Sequence, residues 1–230
     1  MSKTIVVVGF GPGISTAVAE RFGAAGFSVA LVARSQERLA AGVAALEGKG
    51  IAAAAFPADA ANPGSIAAAI GQARARLGPI TVLHWNAFGG VETGELLAAD
   101  PAAVRAVFDV AVVGLLAAVQ AALPDLKAAG DGAVLVTNGA FGDPSPAMDQ
   151  LAITLKSMGV ALANAAKAKL VGLLAQALRG EGVYVGEVTV AGAIKETAWA
   201  SGGEGIAAAT VANRFWDLYQ ARDAVRARVS

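Results

Sequence analysis

Short runs of β-branched residues alternate along this chain with longer stretches rich in alanine and leucine. Such alternation is typical of βαβ units, in which each strand is followed by a helix that crosses back over the sheet. Strands are predicted near residues 4–8, 28–33, 51–57, 80–85, 132–137 and 183–190, with a further candidate at 224–229. The sequence therefore predicts an α/β fold, a doubly wound, mainly parallel sheet of six or seven strands with helices on both faces.

The composition suits one such domain over residues 1–230. Hydrophobic residues make up 56% of the chain and charged residues 16%, which is expected for a sheet covered on both faces. A chain of 230 residues is long enough for one large core and short for two domains joined by a linker.

Charge and hydropathy argue against several classes of partner. The 18 basic and 18 acidic residues balance and form no basic stripe, so no nucleic-acid partner is expected. The longest uncharged apolar stretch, residues 110–123, is shorter than the ~20 residues of a membrane span, which predicts a buried helix and no membrane partner. The chain lacks cysteine and begins with a predicted strand rather than a signal peptide, so a cytoplasmic location is expected.

A glycine-rich loop directly follows the first predicted strand. Its residues are Gly9, Phe10, Gly11, Pro12, Gly13, Ile14 and Ser15. Main-chain amides at the start of the following helix attract a diphosphate, and glycines allow it to approach the backbone. A tight strand-to-helix turn is the alternative, but the position of the loop within a βαβ unit favours a dinucleotide site, with the amides of residues 9–15 holding the diphosphate.

The end of the second predicted strand indicates which dinucleotide is bound. An acidic residue usually binds the ribose 2′-hydroxyl of NAD at this point, whereas this chain has Ala33, Arg34 and Ser35. Arg34 and Ser35 can clamp a 2′-phosphate, and no carboxylate repels it. The sequence therefore predicts NADP(H) as the cofactor, with a solvated arginine at a helix start as the alternative for Arg34.

Further motifs lie at the ends of the predicted strands and in the helices between them. They are Asp59-Ala60, Trp85-Asn86-Ala87-Phe88, the helix end Ala121–Lys127, the segment Lys167–Leu173, and Ala191–Ile194 with Thr197. Together with the glycine loop they resemble the short-chain dehydrogenase/reductase family over nearly the whole chain. The resemblance implies a Rossmann-like fold. It also implies that Asp59 and Ala60 contact the adenine of the cofactor, that Lys167 contacts the nicotinamide ribose, and that Ile194 and Thr197 contact the nicotinamide. Asn86, Ala87 and Phe88 are implied as further cofactor contacts.

The catalytic residues of that family are largely replaced. Aligned through Lys167, the family's tyrosine falls on Ala163, its asparagine on Ala111, and its serine on Asn138 or Gly139. Lys156 is a competing choice for the lysine, but it does not restore the motif, because neither Tyr184 nor Tyr219 is followed by a lysine four residues later.

Two residues remain as catalytic candidates, Asn138 and Lys167. Asn138 is interpreted either as an oxyanion donor or as a turn residue that binds its own backbone. Lys167 is predicted to hold the ribose hydroxyls, with a role as proton donor or a solvated helix lysine as alternatives. His84, the single histidine, is interpreted as a packed, hydrogen-bonded residue, and no metal site is expected.

Two function hypotheses follow from these residues. The first is an NADP(H)-dependent oxidoreductase with a divergent site, which transfers hydride to or from a small carbonyl, enone or imine substrate. The second is a catalytically silent protein that binds or senses NADP(H). The resemblance also implies a homodimer or homotetramer built from predicted helices at 101–129 and 150–179. Irregular connections at 138–150 and 190–204, the second with Trp199 as a possible lid residue, are expected to border the substrate.

Overall fold

Seven parallel strands form one sheet in the centre of the protein. This computed structural model describes residues 3–89, 93–195, 197 and 205–230. The strands are β1 Lys3–Val8, β2 Phe27–Ala33, β3 Ala53–Pro57, β4 Ile80–Trp85, β5 Ala133–Gly139, β6 Tyr184–Val190 and β7 Arg226–Val229. Their order is β3-β2-β1-β4-β5-β6-β7, and each neighbouring pair is parallel. The predicted α/β sheet is confirmed, and the tail strand is its seventh member.

Helices cover both faces of the sheet. They are α1 Ile14–Gly23, α2 Gln36–Glu47, α3 Pro63–Leu77, α4 Pro101–Phe108, α5 Leu115–Ala128, α6 Pro146–Thr154, α7 Met158–Leu178 and α8 Ala208–Ala221. Buried residues of α1, α2 and α8 pack on one face, and those of α3, α5 and α7 on the other. Successive residues of β1 alternate between the two cores, because neighbouring side chains in a strand point to opposite faces.

The two long helices expected at 101–129 and 150–179 are each interrupted. A π-helical turn over Asp109–Gly114 separates α4 from α5. The single helix expected at 150–179 is wrong, since α6 begins earlier, at Pro146, and the chain breaks before α7. Lys156 lies in that break with a φ of 51°, a left-handed conformation that cannot continue a helix of L-residues.

The sheet has one topological switch point, between β1 and β4. From β1 the chain moves outward through β2 to β3 and then returns to form β4 on the other side of β1. Because the connections leave in opposite directions, they open a crevice above the carboxyl ends of β1 and β4. The glycine loop follows β1 at this point, and Asn86 follows β4.

Two segments are apolar and long enough to pass the length and hydropathy test for a membrane span. They are Pro101–Ala128 and Met158–Glu181. The core helices of globular proteins pass the same test, and buried residues of α5 and α7 pack on the sheet. Some apolar side chains on these segments remain exposed, among them Val113 and Leu116 in the first and Leu162 and Leu173 in the second. The absence of a membrane partner and the cytoplasmic location remain predictions.

Candidate functional site

Gly9 follows β1 directly and lies against the residues that follow β4. Its φ is 84°, and a Cβ atom at this position would collide with the backbone of Asn86 and Ala87. The amide of Asn86 donates to the carbonyl of Val8 at 2.8 Å, and its side-chain Nδ2 donates to the carbonyl of Gly9 at 3.3 Å. Only glycine fits here, so the structure brings these three predicted cofactor residues together at the switch point.

The glycine loop presents fewer free amides than the sequence predicts. The amides of Gly9 and Phe10 both donate to the carbonyl of Val32, at 2.9 and 3.0 Å. The amide of Gly11 donates to Oγ of Ser15 at 2.9 Å, and Pro12 has no amide hydrogen. The first backbone bond of α1 joins the amide of Ala17 to the carbonyl of Gly13. The donors that remain for a ligand are therefore the amides of residues 13–16 at the start of α1.

Gly13 places the start of α1 against the segment that follows β6. It has a φ of 89°, and an added Cβ would lie 3.0 Å from the side chain of Thr197 and 3.4 Å from that of Ile194. Thr197 Oγ1 donates to the carbonyl of Ile194 at 2.7 Å, which fixes this turn. Gly13 and the pair Ile194 and Thr197, which are far apart in the sequence and are all predicted to contact the cofactor, thus lie together beside the crevice. Trp199 lies outside the described residues.

The side chain of Phe10 points away from the crevice into the core. It is 6% exposed, and its ring occupies the space that Gly42 of α2 leaves free, where a Cβ atom would overlap it. Phe10 therefore anchors the glycine loop on α2. The sequence analysis did not single out Gly42, although a glycine inside an alanine-rich helix is a signal for close packing.

Two arginines lie at the start of α2, next to the end of β2. Arg34 follows β2 directly and is exposed. Ser35 is the N-cap of α2, because its Oγ accepts the amide of Arg38 at 3.2 Å. Nη1 of Arg38 lies 3.7 Å from the position that a Cβ of Gly11 would occupy, so this guanidinium extends over the glycine loop. With the residues that the structure describes, neither arginine forms an ion pair. Arg38 was missed by the sequence analysis, although it lies four residues after Arg34.

Asp59 and Ala60, the predicted adenine contacts, follow β3 next to the end of β2. The amide of Ala58 donates to the carbonyl of Ala33 at 3.0 Å, which joins the ends of β3 and β2. Oδ1 of Asp59 accepts the amide of Ala61 at 3.0 Å, while the second carboxylate oxygen forms no hydrogen bond with a described residue. The carbonyl of Ala60 lies where a Cβ of Gly114 would be, which brings the π-helical turn up to the same edge.

Lys167 of α7 is almost completely buried on the side of the helix that faces β5. Its side chain is 3% exposed, and Nζ donates to the carbonyl of Thr137 near the end of β5 at 3.1 Å. Burial lowers the pKa of Lys167 to about 8, and the charge of Glu187 on β6 opposes this decrease. An ammonium group carries three protons, so two N–H donors remain for a ligand. This burial rules out the alternative of a solvated helix lysine.

Asn138 has the contacts of a structural residue. It is 4% exposed. Its Nδ2 donates to the carbonyl of Asn164 at 3.0 Å, and its Oδ1 accepts the amide of Gly139 at 3.0 Å. Of the two interpretations, this geometry favours the residue that binds its own backbone, and a role as oxyanion donor requires the amide to leave Asn164.

The positions aligned with the family's tyrosine and asparagine come together in space. Ala163 of α7 and Ala111 of the π-helical turn form one small apolar cluster with Val107 of α4, and each is at most 2% exposed. Apolar packing thus occupies the region where the polar catalytic residues would lie. Lys167 is one helical turn after Ala163 on the same helix, which agrees with the alignment through Lys167.

Both tyrosines lie at the opposite edge of the sheet. Tyr184 is the first residue of β6, and its hydroxyl donates to the carbonyl of Ala224 at 2.5 Å. The hydroxyl of Tyr219 donates to Asp131, which precedes β5, at 2.6 Å. Burial raises the pKa of Tyr184 to about 12, and burial with Asp131 raises that of Tyr219 further. Neither tyrosine serves the crevice.

Three other candidates take ordinary positions. His84 is fully buried, packs against Phe215 and lies 3.1 Å from Oγ1 of Thr137. Burial lowers the pKa of His84 to about 3, so the ring stays neutral, as expected for a packed residue. Phe88 is 55% exposed beyond β4. Lys156 is exposed and pairs with Glu95 at 2.7 Å, which removes it as an alternative to Lys167.

Comparison with known proteins gives consistent matches. The model of the short chain dehydrogenase family matches residues 3–150. A stretch of 128 residues is 34% identical to 3-dehydrosphinganine reductase TSC10B of Arabidopsis thaliana, and covers 55% of this chain and 37% of that protein.

Solved structures of similar fold cover nearly the whole chain. A short chain dehydrogenase from Burkholderia cenocepacia J2315 in complex with NADP has a TM-score of 0.85 at 25% identity, over 99% of this chain and 96% of that one. A metagenomic short-chain oxidoreductase in complex with NADP has a TM-score of 0.81 at 24% identity, over 100% and 97% of the two chains.

Proposed function

Because the chain belongs to the short-chain dehydrogenase family, we propose that it is an NADP(H)-dependent oxidoreductase with a non-standard active site. It transfers hydride to or from a small carbonyl, enone or imine substrate. The observation that supports the proposal is the crevice at the switch point, where Gly9 and Gly13 leave the backbone open and the buried Lys167 binds the end of β5, the strand next to β4.

The residues of the crevice fit NADP(H). Gly9 and Gly13 leave room for a ligand against the backbone, and the amides at the start of α1 supply donors for a diphosphate. Arg34 and Arg38 are two cations without an ion-pair partner among the described residues, and both lie at the start of α2. They suit a ribose 2′-phosphate, because arginine forms two parallel hydrogen bonds with a phosphate.

Lys167 is the proposed proton donor of the reduction. Bound NADPH supplies the hydride to the substrate carbon. Lys167 would hold a proton at Nζ, give it to the substrate oxygen or nitrogen, and become a neutral amine, so that C=O becomes CH–OH and C=N becomes CH–NH. In an enone the hydride would add to the β-carbon and the proton to the oxygen, which gives an enol that tautomerises to the saturated ketone. With a pKa of about 8, the ammonium predominates at neutral pH and is a stronger acid than an exposed lysine.

The apolar cluster of Ala163, Ala111 and Val107 favours substrates that need little proton assistance. A positioned acid or base contributes about 10² to 10⁴ in rate, and the family's tyrosine is absent here. Enones and imines are activated toward hydride addition, so we expect them to react faster than simple ketones.

A catalytically silent NADP(H)-binding protein is the second candidate. The same cluster and the engagement of Asn138 by Asn164 favour it, because both replace polar groups that would face a substrate. The cofactor crevice supports either function, so binding of the cofactor alone does not separate them.

A titration and a substrate panel test the proposal. The purified protein is titrated with NADPH and NADH, and turnover of carbonyls, enones and imines is followed by the absorbance of the reduced nicotinamide. We expect tighter binding of NADPH and turnover within the panel. Tight binding without turnover would favour the silent protein, and no binding of either nucleotide would overturn both functions.

We further propose that the protein assembles as a homodimer or homotetramer through the two long helical segments. Val113 and Leu116 on one segment and Leu162 and Leu173 on the other are 37–56% exposed. A second copy that packs its own segments here would remove these side chains from water, which stabilises association by about 25 cal/mol per Å² of apolar surface.

A further inference from the structure

A carboxylate is buried in the sheet near Lys167. Glu187 on β6 is 2% exposed. Its Oε1 accepts a hydrogen bond from Oγ1 of Thr189 at 3.0 Å, while its Oε2 is buried without a hydrogen-bond partner among the described residues. A buried charge is costly unless it is compensated, so its position requires a physical explanation.

The neighbouring cation at the sheet edge compensates Glu187 only in part. Nε of Arg226 on β7 lies 3.8 Å from Oε1 of Glu187, and its side chain is 52% exposed. Nη2 of Arg226 instead donates to the carbonyl of Ala168 on α7 at 2.6 Å. Arg226 is thus shared between the strand and the helix, and its exposed charge is screened by solvent.

Lys167 lies on the same face of the sheet, one residue before Ala168. Its Nζ bonds to the carbonyl of Thr137 on β5, the strand paired with β6. Other charged residues occur on elements that contact α7, namely Arg105, Asp109, Asp149, Arg179 and Glu181. None of these five residues is buried, whereas Glu187 is buried on the strand beside the carbonyl that binds Lys167, and its charge raises the pKa of Lys167.

We propose that Glu187 is a positioning residue that keeps Lys167 protonated inside the crevice. This inference rests on the proposed function, in which Lys167 is the proton donor. The carboxylate offsets the cost of burying the ammonium, and the exposed Arg226 neutralises the charge of Glu187 only in part. When a ligand excludes the remaining water, this compensation becomes stronger, because charges interact more strongly in a less polar medium.

Titration of the lysine by nuclear magnetic resonance tests this role without any need for turnover. The chemical shift of the Lys167 Nζ nitrogen is measured as a function of pH in the wild-type protein and in Glu187→Gln. This substitution keeps the shape of the side chain and removes its charge. We expect the midpoint to fall from about 8 to about 7 or below. Exposed Lys169 serves as the reference in the same spectra and should not move.

Two further variants test the direction and the specificity of the change in the Lys167 midpoint. Arg226→Met removes the cation that competes for Glu187, so the midpoint of Lys167 should rise. Glu181→Gln removes a carboxylate that pairs with Lys127 at 2.7 Å and is 48% exposed, so it should leave the midpoint unchanged. If Glu187→Gln does not fold, Glu187→Met, which also removes the charge, takes its place in the same titration, and the midpoint of Lys167 should again fall.

An unchanged midpoint in Glu187→Gln, or a fall in Arg226→Met, would overturn the assignment of Glu187. Failure of the proposed function looks different, because the midpoint of Lys167 still falls in Glu187→Gln while the wild-type protein turns over no substrate.

Discussion

The ring of Phe10 lies in the space that Gly42 leaves on α2, so this helix holds the glycine loop in place from the core side. Gly42→Ala should therefore weaken NADPH binding by about tenfold and lower stability by about 1–3 kcal/mol, because the added Cβ overlaps the ring. Isothermal titration and thermal unfolding measure the two effects.

Gly71 of α3 is a matched control for this change. No atom lies within 4 Å of an added Cβ at Gly71, so Gly71→Ala should leave binding unchanged and stabilise the protein slightly through helix propensity. Equal binding in the two variants would show that Phe10 does not position the loop.

Arg34 and Arg38 should both discriminate between the two nucleotides. Arg34→Gln and Arg38→Gln each lose a charge-assisted hydrogen bond to the 2′-phosphate, worth about 1.5–3 kcal/mol. The Kd for NADPH should rise roughly tenfold to a hundredfold, whereas the Kd for NADH, which lacks the phosphate, should not change. Arg76→Gln at an exposed site of α3 is the control.

Arg34→Asp should go further and reverse the preference toward NADH, because a carboxylate repels the 2′-phosphate and accepts the 2′-hydroxyl. An unchanged preference in this variant would exclude Arg34 as the phosphate clamp and leave Arg38 as the candidate.

The pH dependence of reduction should follow Lys167. The ammonium predominates below its pKa of about 8, so the rate of reduction should be constant at lower pH and fall about tenfold per pH unit above it. Lys167→Arg keeps a cation but remains protonated, so the break near pH 8 should disappear and the rate should fall by about 10² to 10⁴. A break that persists in Lys167→Arg would assign the proton to another group.

Restoring a tyrosine at position 163 should not restore the family's site. Ala163 is 2% exposed and packs against Val107 and Ala111, so Ala163→Tyr should lower stability by about 1–3 kcal/mol or more through overpacking. Ala165→Tyr, at an exposed position on the same helix, should change stability little in thermal unfolding. A stable and more active Ala163→Tyr variant would show that the apolar cluster can rearrange to accommodate the larger side chain.

The oligomeric state should depend on the exposed leucines of the two long segments. Leu116→Lys and Leu162→Lys place a charge in the proposed interface and should give a monomer in light scattering at micromolar concentration. Leu97→Lys, at a fully exposed position, should not. A monomeric wild-type protein would refute the assembly.

The sequence by itself determined the order of the elements and the edge of the sheet at which the cofactor crevice lies. Buried parallel strands must be continuous apolar runs, and a glycine loop after the first of them has few structural uses. The sequence also predicted, through the alignment at Lys167, that the family's tyrosine, serine and asparagine are replaced.

Only the tertiary structure decided which atoms are available. The amides of Gly9 and Phe10 are occupied by Val32 on a neighbouring strand, and Asn138 by Asn164 of α7. Likewise, Arg38 of α2 reaches the glycine loop. Glu187 of β6 and Lys167 of α7 lie on the same face of the sheet, although they come from different elements. Hydrogen bonds and charges between residues far apart in the chain depend on distance in space, which local sequence patterns do not contain.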